Sequence, residues 1–131
     1  MSYDFLSEQW FKAAREIRES IRGKAAAQPK IRMNLVIRDV PGESAPAHAH
    51  VDSTSGLIEF ERGHLEDPEV TVSLDYSTAK AMFVLGDMQA SIQAYSLGTL
   101  TVEGDASKLM QPMMPDPTTL AAQRELVAIT N

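Results

Sequence analysis

The sequence of 131 residues contains no cysteine, which excludes disulfide bonds, thiolate metal sites and cysteine nucleophiles. It lacks any apolar run approaching the roughly twenty residues of a membrane-spanning helix. Its first residues also lack the basic and apolar regions of a signal peptide. A P-loop, a G-x-G-x-x-G turn and a G-x-S-x-G elbow are missing as well. We therefore expect a soluble, cytoplasmic protein in which no nucleophile stands out.

Positive charge is scarce, and the formal net charge is −6. Nucleic acid is therefore not expected as the main partner, because its phosphates would repel this chain. The distribution is uneven: residues 1–40 carry eight Lys or Arg against five acids, whereas the remainder carries four against thirteen. The basic residues near the N-terminus are typical of the solvated face of an amphipathic helix. Transient contact of this helix with an anionic membrane surface is the alternative.

A chain of this length can bury roughly two-thirds of its unfolded surface in one core. We expect a single domain over residues 1–131, with its core at about 5–114 and a C-terminal helical extension over 115–131. Hydrophobic periodicity predicts the elements within it. An amphipathic helix and three strands come first, at 5–24, 31–38, 48–53 and 57–62.

The stretch 69–104 is predicted to form a strand, two helices and a closing strand. Asp75 and Asp87 precede the two helices and are predicted to cap them. In the second helix, Met88, Ile92 and Tyr95 form one apolar stripe, which we expect to face inward. A crossover of this length also allows the two flanking strands to lie parallel. Two further helices are predicted, at 106–114 and 117–129.

Three side chains on the predicted strand 48–53 have the spacing of a metal site. His48, His50 and Asp52 alternate along the strand and therefore project from the same face. A surface strand with solvent-exposed histidines accounts for the same spacing. We expect neither a metal nor another cofactor.

Methionine is concentrated in one region. Of seven methionines, five lie between residues 82 and 114: Met82, Met88, Met110, Met113 and Met114. Methionine adapts to irregular apolar shapes and occurs at surfaces that accept varied apolar partners. An ordinary core filled with flexible side chains is the alternative, and composition does not separate the two.

The same region carries a resemblance to a known family. The region begins with a predicted strand, VTVSLD, followed by a helix and loop, TAKAMFVLGDM. A short helix with Tyr95 just before Gly98 comes next, and the segment TLTVEGDASKLMQ follows it. In residues and element order this resembles the sterol carrier protein 2 (SCP2-like) lipid-binding family, over most of residues 5–114. Asp87 and Thr99 depart from the basic residues that are common at these positions in relatives.

The resemblance implies an α+β fold: a five-stranded, largely antiparallel sheet covered by helices, with an apolar tunnel between sheet and helices. It implies that the tunnel binds a fatty acid, fatty acyl-CoA, sterol or other lipid, and it leaves open whether the protein also transfers this ligand. It further implies neither enzymatic activity nor a cofactor. Leu100 and Val102 would form the floor. The other residues expected to line or gate the tunnel are Met82, Phe83, Met88, Ile92, Tyr95, Leu109, Met110, Met113 and Met114.

Two alternatives to this function remain open. The first is an accessory module that presents a hydrophobic biosynthetic intermediate, such as a quinone precursor, to enzymes. The second is a small cone-shaped α+β enzyme resembling ketosteroid isomerase. The enzyme would use a carboxylate in an apolar pocket as its general base. An Asp or Glu with a raised pKa inside the cavity would distinguish this last hypothesis.

Overall fold

The computed structural model describes residues 2–24, 30–85, 87–105 and 117–130. The elements follow in the order α1 (Glu8–Ser20), β1 (Arg32–Arg38), β2 (Ala47–Asp52), β3 (Glu59–Arg62), β4 (Val70–Asp75), α2 (Tyr76–Phe83), α3 (Met88–Leu97), β5 (Thr101–Gly104) and α4 (Pro117–Ile129). None of the described helices is long and apolar enough to cross a bilayer. The helix predicted at 106–114 lies outside the described residues.

The five strands form one mixed sheet in the order β3-β2-β1-β4-β5. β1 pairs with β4 in parallel, whereas the pairs β1–β2, β2–β3 and β4–β5 are antiparallel. The predicted α+β fold with a five-stranded, largely antiparallel sheet is therefore confirmed.

The strands on either side of the two central helices run antiparallel, so the suggestion that they lie parallel is wrong. A single helix between two strands returns the chain to the start of the first strand. Two successive helices, α2 and α3, return it to the end at which β4 finished. β5 consequently enters the sheet in the direction opposite to β4.

Alternating side chains bury one face of the sheet. Leu35 on β1 and Val72 and Leu74 on β4 all point to this face and have no exposed surface. α1 covers the same face and inserts Trp10, which is 1% exposed. The Trp10 Nε1–H donates to Thr130 Oγ1 at 2.9 Å. Trp10 is thus a core residue that ties α1 to the end of α4.

An aromatic cluster joins α1, β3 and α2. The ring of Phe60 on β3 lies 5.7 Å from Phe11, 5.8 Å from Trp10 and 5.1 Å from Phe83, measured between ring centroids. Phe5 packs edge-on against Trp10 at 4.9 Å. These distances fall in the favourable range for aromatic pairs. The cluster therefore fills the space between the first helix, the edge strand and the second helix.

The loop between β3 and β4 crosses the opposite, polar face of the sheet. Asn34 Nδ2 donates to the Leu65 carbonyl at 3.0 Å, and Asn34 Oδ1 accepts from the Leu65 N–H at 2.7 Å. Arg32 donates to the Asp67 carbonyl at 3.0 Å. These hydrogen bonds satisfy a buried amide and guide the chain from the edge strand past β1 to β4.

Candidate functional site

The two helices between β4 and β5 form the unit on which the predicted ligand site rests. Asp87 caps α3 as predicted, because its side chain accepts from Gln89 N–H at 3.0 Å and Ala90 N–H at 3.3 Å. Gly98, at φ +80°, ends the same helix in the left-handed conformation. Asp75 occupies the N-cap position of α2 as predicted, but its side chain makes no capping hydrogen bond.

Four predicted lining residues border the apolar core. Leu100 is buried, whereas Val102, Met82 and Phe83 are half-buried and pack against the core cluster. Leu100 and Val102 come from β5 and its approach, and Met82 and Phe83 from the end of α2. Leu100 and Val102 lie at the β5 edge of the sheet, whereas the Phe83 ring packs 5.1 Å from Phe60 on the opposite edge strand, β3. Contact of these four residues with one ligand remains a prediction.

The described side chains that α3 buries are small. Ser91 and Ala94 are 3% and 5% exposed, whereas Ile92 and Tyr95 are 51% and 61% exposed. The prediction that the stripe of Ile92 and Tyr95 faces inward is therefore wrong. Ser91 and Ala94 have the same i, i+3 spacing as Ile92 and Tyr95, so spacing alone does not distinguish the two faces of the helix.

The outer face of this unit exposes large apolar side chains among polar ones. Leu85, just after α2, is 57% exposed, and Leu97, at the end of α3, is 79% exposed. Gln93 and Ser96 are exposed between Ile92 and Leu97. The sequence has no charged residue from Met88 to Val102. α3 itself packs chiefly against α2.

The other predicted lining residues lie outside the part of the chain that the structure describes. They are the side chain of Met88 and the residues Leu109, Met110, Met113 and Met114. Their part in a ligand site remains a prediction.

Two surface cavities occur elsewhere in the described structure. One, of about 350 Å³, lies between α1 and α4 and is bordered by Tyr3, Ile17 and Ile129. The other, of about 280 Å³, lies beside the start of β2, next to Leu6 and Ala47. Neither is lined by a residue of α2 or α3. An apolar tunnel between these helices and the sheet therefore remains a prediction.

The histidines lie on the polar face of the sheet. The rings of His48 and His64 stack with centroids 4.5 Å apart, and His50 Nδ1 lies 2.9 Å from the Gly63 carbonyl oxygen. Across residues 2–24, 30–85, 87–105 and 117–130, no group of three or more metal-ligating side chains is assembled. The spacing of His48, His50 and Asp52 thus gains no support as a metal site.

Ion pairs neutralise much of the basic face of α1. Glu61 on β3 accepts from Arg15 at 2.7 and 3.0 Å and from Arg18 at 3.0 Å, while Arg22 pairs with Glu19 at 2.8 Å. Hydrogen bonding from Arg15 lowers the pKa of Glu61, and hydrogen bonding from Arg22 lowers the pKa of Glu19. Arg15 and Arg18 hold α1 against the edge strand, and Arg22 is paired within the helix region, so contact of this helix with anionic membranes gains no support.

The variant Glu61→Gln is expected to make folding less sensitive to acid. The folded-state pKa of Glu61 lies below its ordinary value of 4.5, so its ionised form stabilises the fold above that pH. This contribution disappears as the pH falls through the lowered pKa. Urea unfolding at neutral pH and at about pH 3 should show a larger loss of stability in the wild type than in Glu61→Gln. Glu66→Gln, in the exposed loop, serves as the control, and equal acid sensitivity in all three proteins would contradict the expectation.

Neither a scan of protein-family models nor a search of curated proteins finds a match to this sequence. Solved structures do match. The sterol carrier protein domain 2 of Helicoverpa armigera aligns with a TM-score of 0.54 at 13% identity, covering 100% of this chain and 98% of that chain. Sterol carrier protein 2 like 2 from Aedes aegypti aligns at 0.53 and 19% identity, covering 77% and 94%. The palmitated form of that Aedes protein aligns at 0.52 and 18% identity, covering 80% and 89%.

These similarities define the class of architecture. They extend over most of both chains, at sequence identities that establish the fold alone. The protein has the SCP2 fold, and the resemblance drawn from the stretch 69–104 is confirmed at the level of the fold.

Proposed function

We propose that this protein binds a hydrophobic ligand, such as a fatty acid, fatty acyl-CoA, a sterol or another lipid, and carries it without catalysing a reaction. The observation that carries the proposal is the uncharged stretch from Met88 to Val102, which presents apolar side chains to the core and to solvent. The SCP2 fold supports it, because one protein of this fold is a sterol carrier domain and another has been solved in a palmitated form.

The ligand is proposed to lie between α3 and the sheet. Among the α3 side chains that the structure describes, the buried ones are the small Ser91 and Ala94, and the helix packs chiefly on α2. Separating α3 from the sheet would therefore break few large apolar contacts. An acyl chain entering there would meet Met82 and Val102 and gain about 0.8 kcal/mol for each methylene buried.

A carrier is proposed, and the perturbed carboxylates on the sheet lend no support to an enzyme in its place. The Thr54 hydroxyl lowers the pKa of Asp52 on β2, and Arg15 lowers the pKa of Glu61 on β3. Both shifts are opposite to the raised pKa of a general base in an apolar pocket. These two groups therefore lend no support to the isomerase hypothesis. The accessory-module role for a quinone precursor remains a hypothesis about the identity of the ligand.

The variant Met82→Gln is expected to weaken fatty-acid binding about tenfold, because a polar amide of similar length would replace an apolar contact with the acyl chain. Titration of a fluorescent fatty acid in solution measures the effect. Leu120→Gln, on the exposed side of α4, is the matched control and should bind like the wild type. Failure of the wild type to bind any fatty acid, sterol or acyl-CoA would refute the proposed function. Equal affinity of wild type and Met82→Gln would refute the proposed location.

A further inference from the structure

We propose that the cavity beside the start of β2 binds a small carboxylic acid with an apolar tail, and that Arg62 holds its carboxylate. The cavity has a volume of about 280 Å³. None of its lining residues belongs to α2 or α3, so this site is separate from the lipid position proposed above. The inference therefore goes beyond the proposed function and does not depend on it.

The walls of the cavity are apolar. They come from the first turn and α1, from the residue two positions after β1, and from β2: Leu6, Phe11, Val40, Ala47 and Ala49. Leu6, Phe11 and Ala49 belong to the buried core, so the cavity reaches the hydrophobic core from the surface. Its volume lies near the lower end of the roughly 300–1,000 Å³ that is typical of small-molecule sites. This size favours a short acyl chain over a long one.

Arg62, at the end of β3, places a cation at this cavity. Its guanidinium lies 5.5 Å from the centroid of the Phe11 ring, and its Nη2 donates to the Leu6 carbonyl at 3.3 Å. These contacts orient the guanidinium and use one N–H of a group that has several. Among the residues that the structure describes, no carboxylate forms an ion pair with Arg62. The remaining N–H groups can bind a carboxylate through two parallel hydrogen bonds.

The conformation of Leu6 is a second observation at the same place. Leu6 has φ +73°, in the left-handed region that leucine rarely adopts. It lies in the turn closed by the Ser7 N–H, which donates to the Asp4 carbonyl at 3.0 Å. Glycine would adopt this turn without strain, whereas Leu6 adds an apolar wall to the cavity and turns its carbonyl to Arg62. Strained backbone clusters at ligand-binding sites, and here it fixes both the wall and the cation.

The other polar residues at the cavity restrict the charge of the ligand. Glu43, on the loop between β1 and β2, is exposed and also borders the cavity. Its carboxylate would repel a dianion, such as a phosphate monoester, more strongly than a monoanion, so a single carboxylate suits Arg62 best. His48 borders the cavity too, but its ring stacks on His64. Because the net charge of −6 gives anions no general attraction, binding depends on these local contacts.

Titration with octanoate, followed by the amide chemical shifts of the full chain in NMR, tests the proposal. We expect shifts at Leu6 and in the segment 40–49, and none in α2 or α3. Arg62→Gln should bind octanoate about tenfold more weakly than the wild type, because the charged hydrogen bonds to the carboxylate are lost. Arg124→Gln changes the net charge equally at an exposed position on α4 and should bind octanoate like the wild type.

Octanol provides a second comparison that needs no variant. It has a tail of the same length without the carboxylate, so the residues of the cavity should respond to it at least about tenfold more weakly than to octanoate.

Three results would overturn the proposal. They are equal octanoate affinity of Arg62→Gln and Arg124→Gln, equal affinity of the cavity for octanoate and octanol, and a titration in which Leu6 and the segment 40–49 do not shift. Shifts confined to α2, α3 and β5 would place octanoate at the proposed lipid position instead. Because the carrier function is tested with palmitate and Met82→Gln, failure of octanoate at this cavity leaves that function standing.

Discussion

Trp10→Ala is expected to lower the free energy of unfolding by about 3–5 kcal/mol. The indole is 1% exposed, packs edge-on against Phe5 at 4.9 Å and Phe11 at 5.2 Å, and donates to Thr130 Oγ1. Truncation would leave a cavity between α1 and the sheet and release the end of α4. Because a whole domain is stable by only about 5–15 kcal/mol, the variant should lie close to the limit of folding.

Urea unfolding followed by circular dichroism measures this loss without relying on tryptophan fluorescence. Trp10→Phe keeps an aromatic ring but removes the Nε1–H donor, and its expected cost is smaller, about 1–3 kcal/mol. Leu120→Ala, on the exposed side of α4, should change stability by no more than about 0.5 kcal/mol. A Trp10→Ala protein as stable as the Leu120→Ala control would show that the aromatic cluster is not the core described above.

Gly104→Ala is expected to destabilise the protein by about 2–4 kcal/mol. Gly104 has φ +98°, and a Cβ atom there would lie 2.6 Å from the Glu69 carbonyl oxygen and 3.2 Å from Val70 Cα. Both obstacles are backbone atoms of the neighbouring strand, so relief requires β4 and β5 to move apart. The residue also pairs with Val70 in the sheet register, so the strain falls on the strand that carries Val102.

Gly63→Ala provides the matched control for the clash. Gly63 has a similar φ of +88°, but a Cβ atom added there meets nothing within 4 Å. This variant should therefore show only the left-handed backbone cost of roughly 1–2 kcal/mol. The difference between the two urea midpoints isolates the contact with Glu69 and Val70. Equal destabilisation by the two substitutions would contradict the close approach of β4 and β5.

The sequence predicted the strands well where one face of the sheet is buried. Val72 and Leu74 alternate with Thr71, Ser73 and Asp75, and this period of two indicates that one face of the strand is buried. The direction of β5 was not predicted correctly, since periodicity within an element carries no information about which end of the sheet the chain reaches. The partners of Phe60 were also missed, because Phe5, Phe11 and Phe83 come from distant segments that local patterns do not relate.

The burial of the candidate site residues was predicted in part, and their contact with a ligand stays a prediction. Met82 and Leu100 lie at the apolar core as expected, because their helix and strand patterns agree with the packing. Ile92 and Tyr95 were expected inside and lie outside, since hydrophobicity ranks large residues above small ones. Close packing of a helix can instead select small side chains, and Ser91 and Ala94 occupy the inner face for this reason.

Native mass spectrometry of the intact protein after incubation with palmitate, a sterol and a fatty acyl-CoA tests the central claim most directly. If the protein is a lipid carrier, the folded protein should appear with the added mass of one of these ligands, and the ligand should be released on unfolding. Met82→Gln should retain less of the ligand than Leu120→Gln. A protein that is folded by circular dichroism yet remains empty with every one of these ligands would contradict the account.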